Sequence, residues 1–126
     1  MKLAFSIVAG DYAVARLDPA ERIPEWVPSD GVFSVTRTDE ELSIVCASSA
    51  VPEGIRSERG WALLKLVGPF AFDQIGILAS VTTPLAAAGV SIFVVSTFDT
   101  DYLLVKKERL ADAVAALGAA GHERTG

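Results

Sequence analysis

Two short segments concentrate the side chains that could do chemistry. In Ser96-Thr97-Phe98-Asp99-Thr100-Asp101-Tyr102, two carboxylates stand two residues apart among hydroxyl side chains. One of them could select a ligand's amine or a basic side chain. Asp and Thr are equally ordinary turn formers whose side chains bond nearby backbone, so both readings stand. Asp99, at the expected tip, is the freer to meet a ligand or a neighbouring chain; Asp101, at a strand start, is the more structural. The second segment is Asp73-Gln74-Ile75-Gly76-Ile77, at the entrance to a helical stripe. A helix N-terminus offers exposed N–H groups to a carboxylate, and glycine lets the backbone come close. Asp73 either caps that helix or accepts an ammonium group. A free amino acid carries both of the charges these segments would satisfy.

Other chemistry finds little support. Nucleophilic hydrolysis needs a Ser or Cys with a placed base. The only histidine, His122, sits in a glycine-flanked tail and is expected to be solvated. The only cysteine, Cys46, lies in the apolar alternation Leu42–Ser48 and is expected to be a buried thiol with no basic neighbour. One Cys and one His exclude a disulfide framework and thiolate or histidine-rich metal sites. No phosphate-cradling glycine motif occurs, and the chain has no Asn for an acylphosphatase-like Arg/Asn pair. The expectation is a protein without catalytic activity, cofactor or metal.

With 126 residues, the chain can bury a core of its own without staples. Its net charge of -5 offers no counter-charge to nucleic acid or an anionic membrane, so neither is expected as a partner. The amino-terminal run resembles a signal peptide, but Leu3, Phe5 and Ile7 alternate as in a strand and Asp11 ends it. No apolar stretch approaches the length of a membrane span. The unpaired cysteine then points to the cytoplasm.

The elements that must position these residues divide near Ser57–Gly60. In residues 1–60 the pattern predicts a hairpin of Lys2–Ala9 and Asp11–Leu17 turning at Gly10-Asp11, and a second pair, Val32–Arg37 and Leu42–Ser48. Prolines at 19, 24 and 28 leave room for a turn or two of helix at most, with Trp26 an anchor. Residues 48–60 read as loop. In residues 61–126, Trp61–Val67 reads as a central strand. Ile77, Val81 and Leu85 form a helical stripe, with Asp73 as N-cap and Gly89 after the end. Pro84 removes the donor for the Ser80 carbonyl and predicts a kink or break near Val81–Thr83. Val90–Thr97 and Asp101–Lys107 read as strands, and Glu108–Leu117 as a closing helix. Lys106–Arg109 reads as a solvated helix entrance. Nothing after Gly121 looks able to supply the last strand of a βαββαβ unit, so a strand from the first half is the expected substitute.

The block from Gly68 to Leu117, with FDQIGILASVTTPLAAAGVSI and STFDTDYLLV, resembles an ACT domain. More narrowly it is similar to small bacterial tandem ACT proteins, aspartokinase regulatory domains and animal cytosolic arginine sensors. Residues 41–46 and 51–61 resemble the stand-alone bacterial members as well. The resemblance implies an α+β protein of two ferredoxin-like ACT modules with antiparallel sheets and helices on one face. A degenerate module would occupy 1–60 and a complete one 61–126. It implies a regulatory role without catalysis, a small amino acid bound at a module interface, side-by-side or back-to-back association as in a homodimer, and a regulated partner protein. Carried onto this chain, the ligand loop is Asp73, Gln74, Ile75, Gly76 and Ile77. The hairpin is Ser96, Thr97, Phe98, Asp99, Thr100 and Asp101. Net acidity and the hairpin carboxylates favour a cationic ligand such as lysine or arginine. The alternative is an interaction module that dimerises or binds a partner with no small ligand.

Overall fold

Alternating apolar residues build strands here, and two stripes at helical spacing build the helices that cover them. The computed structural model describes residues 1–126. Its order is β1 (Ala4–Leu17), β2 (Ser34–Arg37), β3 (Leu42–Ala47), β4 (Ser57–Leu66), α1 (Ile77–Ala87), β5 (Ile92–Ser96), β6 (Asp101–Lys106), α2 (Leu110–Ala119) and β7 (Glu123–Thr125). The chain forms two units, Met1–Ala9 with Ala62–Gly126, and Gly10–Trp61. The first nine residues group with the C-terminal half and not with residues 10–61.

The larger unit is the expected α+β, ferredoxin-like arrangement. Its strands run in the order β7-β1-β4-β6-β5. β5 and β6 are an antiparallel hairpin with Ile92 opposite Val105 and Ser96 opposite Asp101. Ile77, Val81 and Leu85 of α1 and Ala113 and Leu117 of α2 are buried against Phe5, Ala62, Leu64, Leu66, Leu103 and Val105. Alternation then turns Ser6, Lys65 and Tyr102 toward the face without helices. The absent last strand has two answers. β1 lies beside β4, where a ferredoxin-like unit would place its own last strand. β7 follows outside it, parallel to β1 with Ala4 opposite Glu123. β7 was not expected, because its three residues Glu-Arg-Thr are all exposed and give no apolar signal.

Further expectations are corrected. β1 is one 14-residue strand, not a hairpin. A turn at Gly10-Asp11 would have set Arg16 opposite Phe5 on the core face; instead the strand passes through Gly10 at φ 119°. α1 runs through Pro84 unbroken, and its N-cap is Gly76, not Asp73. His122 is buried, not solvated. Leu3 N–H donates to His122 Nδ1 at 3.0 Å, which puts the ring proton on Nε2. Nε2 lies 2.7 Å from Ser80 O and donates to the carbonyl that Pro84 leaves without a helical donor. Arg109 is no idle helix entrance either: its guanidinium donates to Ala88 O and Gly89 O, both at 3.2 Å, at the end of α1.

The smaller unit has strand order β2-β3-β1-β4 and no α-helix. Ala13, Ala15, Leu42, Ile44, Cys46 and Val51 form its core, with Trp26 packed on it. β4 begins at Ser57, so part of the expected loop 48–60 is strand. Arg59 donates to Ser48 O at 2.7 Å and Val51 O at 2.8 Å, fixing the turn ahead of it. Burial pushes the Cys46 thiol up from its ordinary value, and Arg59, a basic neighbour not expected, offsets part of the rise. No helix is long and apolar enough to cross a membrane.

Candidate functional site

α1 begins with no side-chain cap. Gly76 holds the cap position at φ 84°, ψ 5°, a left-handed conformation open to glycine without a Cβ clash. Ser80 N–H donates to Gly76 O at 3.0 Å and closes the first turn. The N–H groups of Ile77, Leu78 and Ala79 come before that bond and have no partner in the protein. Ahead of them a tight turn holds the chain: Gln74 N–H donates to Ala71 O at 3.1 Å, and Ala71 N–H to Gln74 Oε1 at 3.3 Å.

The turn between β5 and β6 faces this helix start and is bonded on every side. Thr97 N–H and Oγ1 both donate to Thr100 O, at 2.8 and 2.9 Å. Thr100 N–H returns to Thr97 Oγ1 at 3.2 Å, and the buried Thr100 hydroxyl donates to Leu66 O at 2.7 Å. Phe70 N–H donates to Asp99 O at 2.8 Å and ties the turn to the loop before α1. Gly68 passes so close that a Cβ there would lie 2.9 Å from Asp99 O. The turn is a rigid wall, and the carboxylates it carries differ in what they bind. Ser96 donates its hydroxyl to Asp101. The Asp99 carboxylate is exposed and has no partner.

Between helix start and turn lies a recess of about 360 Å³. Of the sequence-predicted residues, Gln74, Gly76, Ile77, Thr97, Phe98, Asp99, Thr100 and Asp101 line it. Asp73, Ile75 and Ser96 do not: Asp73 is exposed, Ile75 is 88% exposed, and Ser96 turns its hydroxyl to Asp101. Phe70, Ala71, Phe72, Leu78 and Ala79 also line the recess. The aromatic pair in Gly68-Pro69-Phe70-Ala71-Phe72, so close to the helix start, was the available signal for them. Phe72 and Phe98 meet edge to face at the rim, with centroids 4.6 Å apart. They are 76% and 78% exposed, unusual for side chains of that size.

One wall of the recess therefore presents unpaired N–H groups and the positive end of a helix dipole. The opposite wall presents two carboxylates, and no basic side chain lines the space between. Such a pair of walls complements a molecule with a carboxylate at one end and a cation at the other. No group of His, Cys, Asp and Glu is arranged to hold a metal ion.

Comparison with known proteins follows the same segments. The ACT domain family model matches residues 56–119, and a model of another family's N-terminal domain matches residues 10–54. The human cytosolic arginine sensor for mTORC1 subunit 1 is 36% identical over 58 residues, which are 45% of this chain and 18% of that protein. The chain thus spans under a fifth of that relative. A crystallographic structure of an Agobacterium tumefaciens protein is 46% identical, with TM-score 0.94 over 99% of this chain and 93% of that one. The regulatory subunit of aspartate kinase from Thermus flavus shares the fold at 10% identity, with TM-score 0.68 over 95% of this chain and 99% of that one. A family model that spans half the sequence, laid on the unit that holds the recess, leads to one conclusion: this chain belongs to the ACT domain family.

Proposed function

We propose that the chain is a non-catalytic regulatory protein of the cytoplasm that binds a free amino acid in the recess between α1 and the β5–β6 turn. The observation that carries this reading is a single recess lined both by the uncapped start of α1, with its free N–H groups, and by Asp99, whose carboxylate has no partner. The ligand carboxylate takes the N–H groups of Ile77–Ala79, and its cationic end takes Asp99. Arginine and lysine are the first candidates, because Asp99 has a charge to spare and a relative is an arginine sensor. Phe72, Phe98 and Ile75 form an exposed apolar rim that a second copy of the chain would cover, making a homodimer whose packing reports occupancy to a regulated protein. The segment Gly10–Trp61, which has no α-helix, would be most of a degenerate first ACT module (1–60), and 61–126 the complete one.

A thermal-shift screen of dialysed protein against the twenty amino acids tests the reading. A ligand at 100 times its Kd adds about 2.7 kcal/mol, a rise of several degrees for a chain this size. Asp99→Asn should abolish the shift. A flat panel refutes amino-acid binding.

The exposed Phe72, Phe98 and Ile75 also support a second reading, an interaction module with no small ligand. Asp99→Ala separates the two. Loss of ligand with the oligomer intact supports the sensor; loss of the oligomer with no ligand to lose supports the interaction module.

A further inference from the structure

A second recess, of about 330 Å³, lies on the face of the larger unit's sheet that carries no helix. Its floor is three adjacent strands: Ser6 on β1, Lys65 on β4 and Tyr102 on β6. Its rim is Val67-Gly68-Pro69 together with Thr97, Asp99 and Thr100, the reverse side of the turn that walls the first recess.

The polar ends on this floor are unspent. The Lys65 ammonium makes no hydrogen bond or ion pair, and the hydroxyls of Ser6 and Tyr102 have no partner. All three side chains are only partly exposed. Lys65 stands on an inner strand with no counter-charge bonded to it, and an anion in the recess would supply one. The size falls within the range of small-molecule pockets.

We infer that this recess is a second binding site, for a small carboxylate that also bears a hydroxyl donor. The carboxylate is held by the Lys65 ammonium with the Tyr102 and Ser6 hydroxyls donating to its oxygens. The ligand's hydroxyl donates to the carboxylate of Asp99, a residue that lines both recesses and serves one ligand at a time. A simple carboxylate would bind more weakly, because its far end leaves Asp99 uncompensated and close to the ligand's negative charge.

The test is an NMR titration of uniformly 15N-labelled full-length protein, with no amino acid present, using sodium L-lactate, sodium acetate and sodium chloride in turn. Leaving amino acids out makes the outcome independent of the first recess. The expected result is saturable shifts of the Ser6, Lys65 and Tyr102 amides with lactate, weaker ones with acetate and none beyond ionic strength with chloride. Lys65→Met, which keeps the stem and removes the charge, should weaken lactate at least about tenfold, as expected for loss of a charge-assisted bond. Tyr102→Phe, which keeps the ring, should weaken it by a smaller factor. The absence of saturable shifts with lactate in the wild-type protein overturns the inference, whatever the variants do. Equal lactate affinity in the wild type and in both variants overturns it as well.

Discussion

Replacing His122 tests the most unusual junction of the fold. The ring accepts from Leu3 N–H at 3.0 Å and donates to Ser80 O at 2.7 Å. His122→Phe keeps most of the volume and strands both partners. Ser80 O is in the worse position, because residue 84 is proline and offers no helical N–H. Both bonds are only partly buried, so the low end of the cost for an unpaired group applies, about 1–1.5 kcal/mol each. The sum, about 2–3 kcal/mol, is a large share of the 5–15 kcal/mol typical of a small protein. Urea unfolding followed by circular dichroism should show a lower midpoint at unchanged slope. The origin of the loss is checked by adding Pro84→Ala, which gives Ser80 O a donor from its own helix. In the His122→Phe background that change should recover about 1 kcal/mol relative to its effect in the wild type. A loss under about 0.5 kcal/mol, or additivity of the two substitutions within about 0.3 kcal/mol, would refute the reasoning.

Three other outcomes are expected. Arg109→Ala removes the two donors at the end of α1 and should cost about 1 kcal/mol in thermal or urea unfolding; its exposed pair with Asp112 adds little. Gly68→Ala sets a methyl group 2.9 Å from Asp99 O, so it should displace the β5–β6 turn and reduce amino-acid affinity in calorimetry. Cys46 should resist a thiol reagent in the native state, since burial keeps the thiol protonated. Its folded pKa is raised above 9.0, so its contribution to stability is fully present below pH 9.0 and is lost as pH rises through the folded value. Cys46→Ala should flatten that alkaline loss in urea midpoints measured across the range.

Much of the candidate site was legible because its elements are local. Ile77, Val81 and Leu85 repeat at helical spacing and are all buried. The run Val90–Lys107 reads as turning at Phe98–Thr100, around Asp99, and the structure turns there too. Gly76 marked the helix start, although the cap is its own backbone and not Asp73. Phe70 and Phe72 went unassigned because a pair of aromatics reads as core until exposure is known.

What the sequence determined by itself is what neighbours along the chain decide: helical stripes, strand alternation and the sharp β5–β6 turn. Tertiary structure alone decided the pairings between distant segments. Gly10-Asp11 is a good turn pair, yet β1 continues through it because Ala13 and Ala15 find their place beside Cys46 and Ile44 of β3. β7 has no apolar residue to announce it and exists through backbone pairing with Ala4–Ser6. Pro84 foretold an orphan carbonyl at Ser80, but only folding could bring His122 from 42 residues away to fill it. A local pattern records which surface a segment must bury; the partner that buries it, or completes its hydrogen bonds, is set by where the rest of the chain comes to lie.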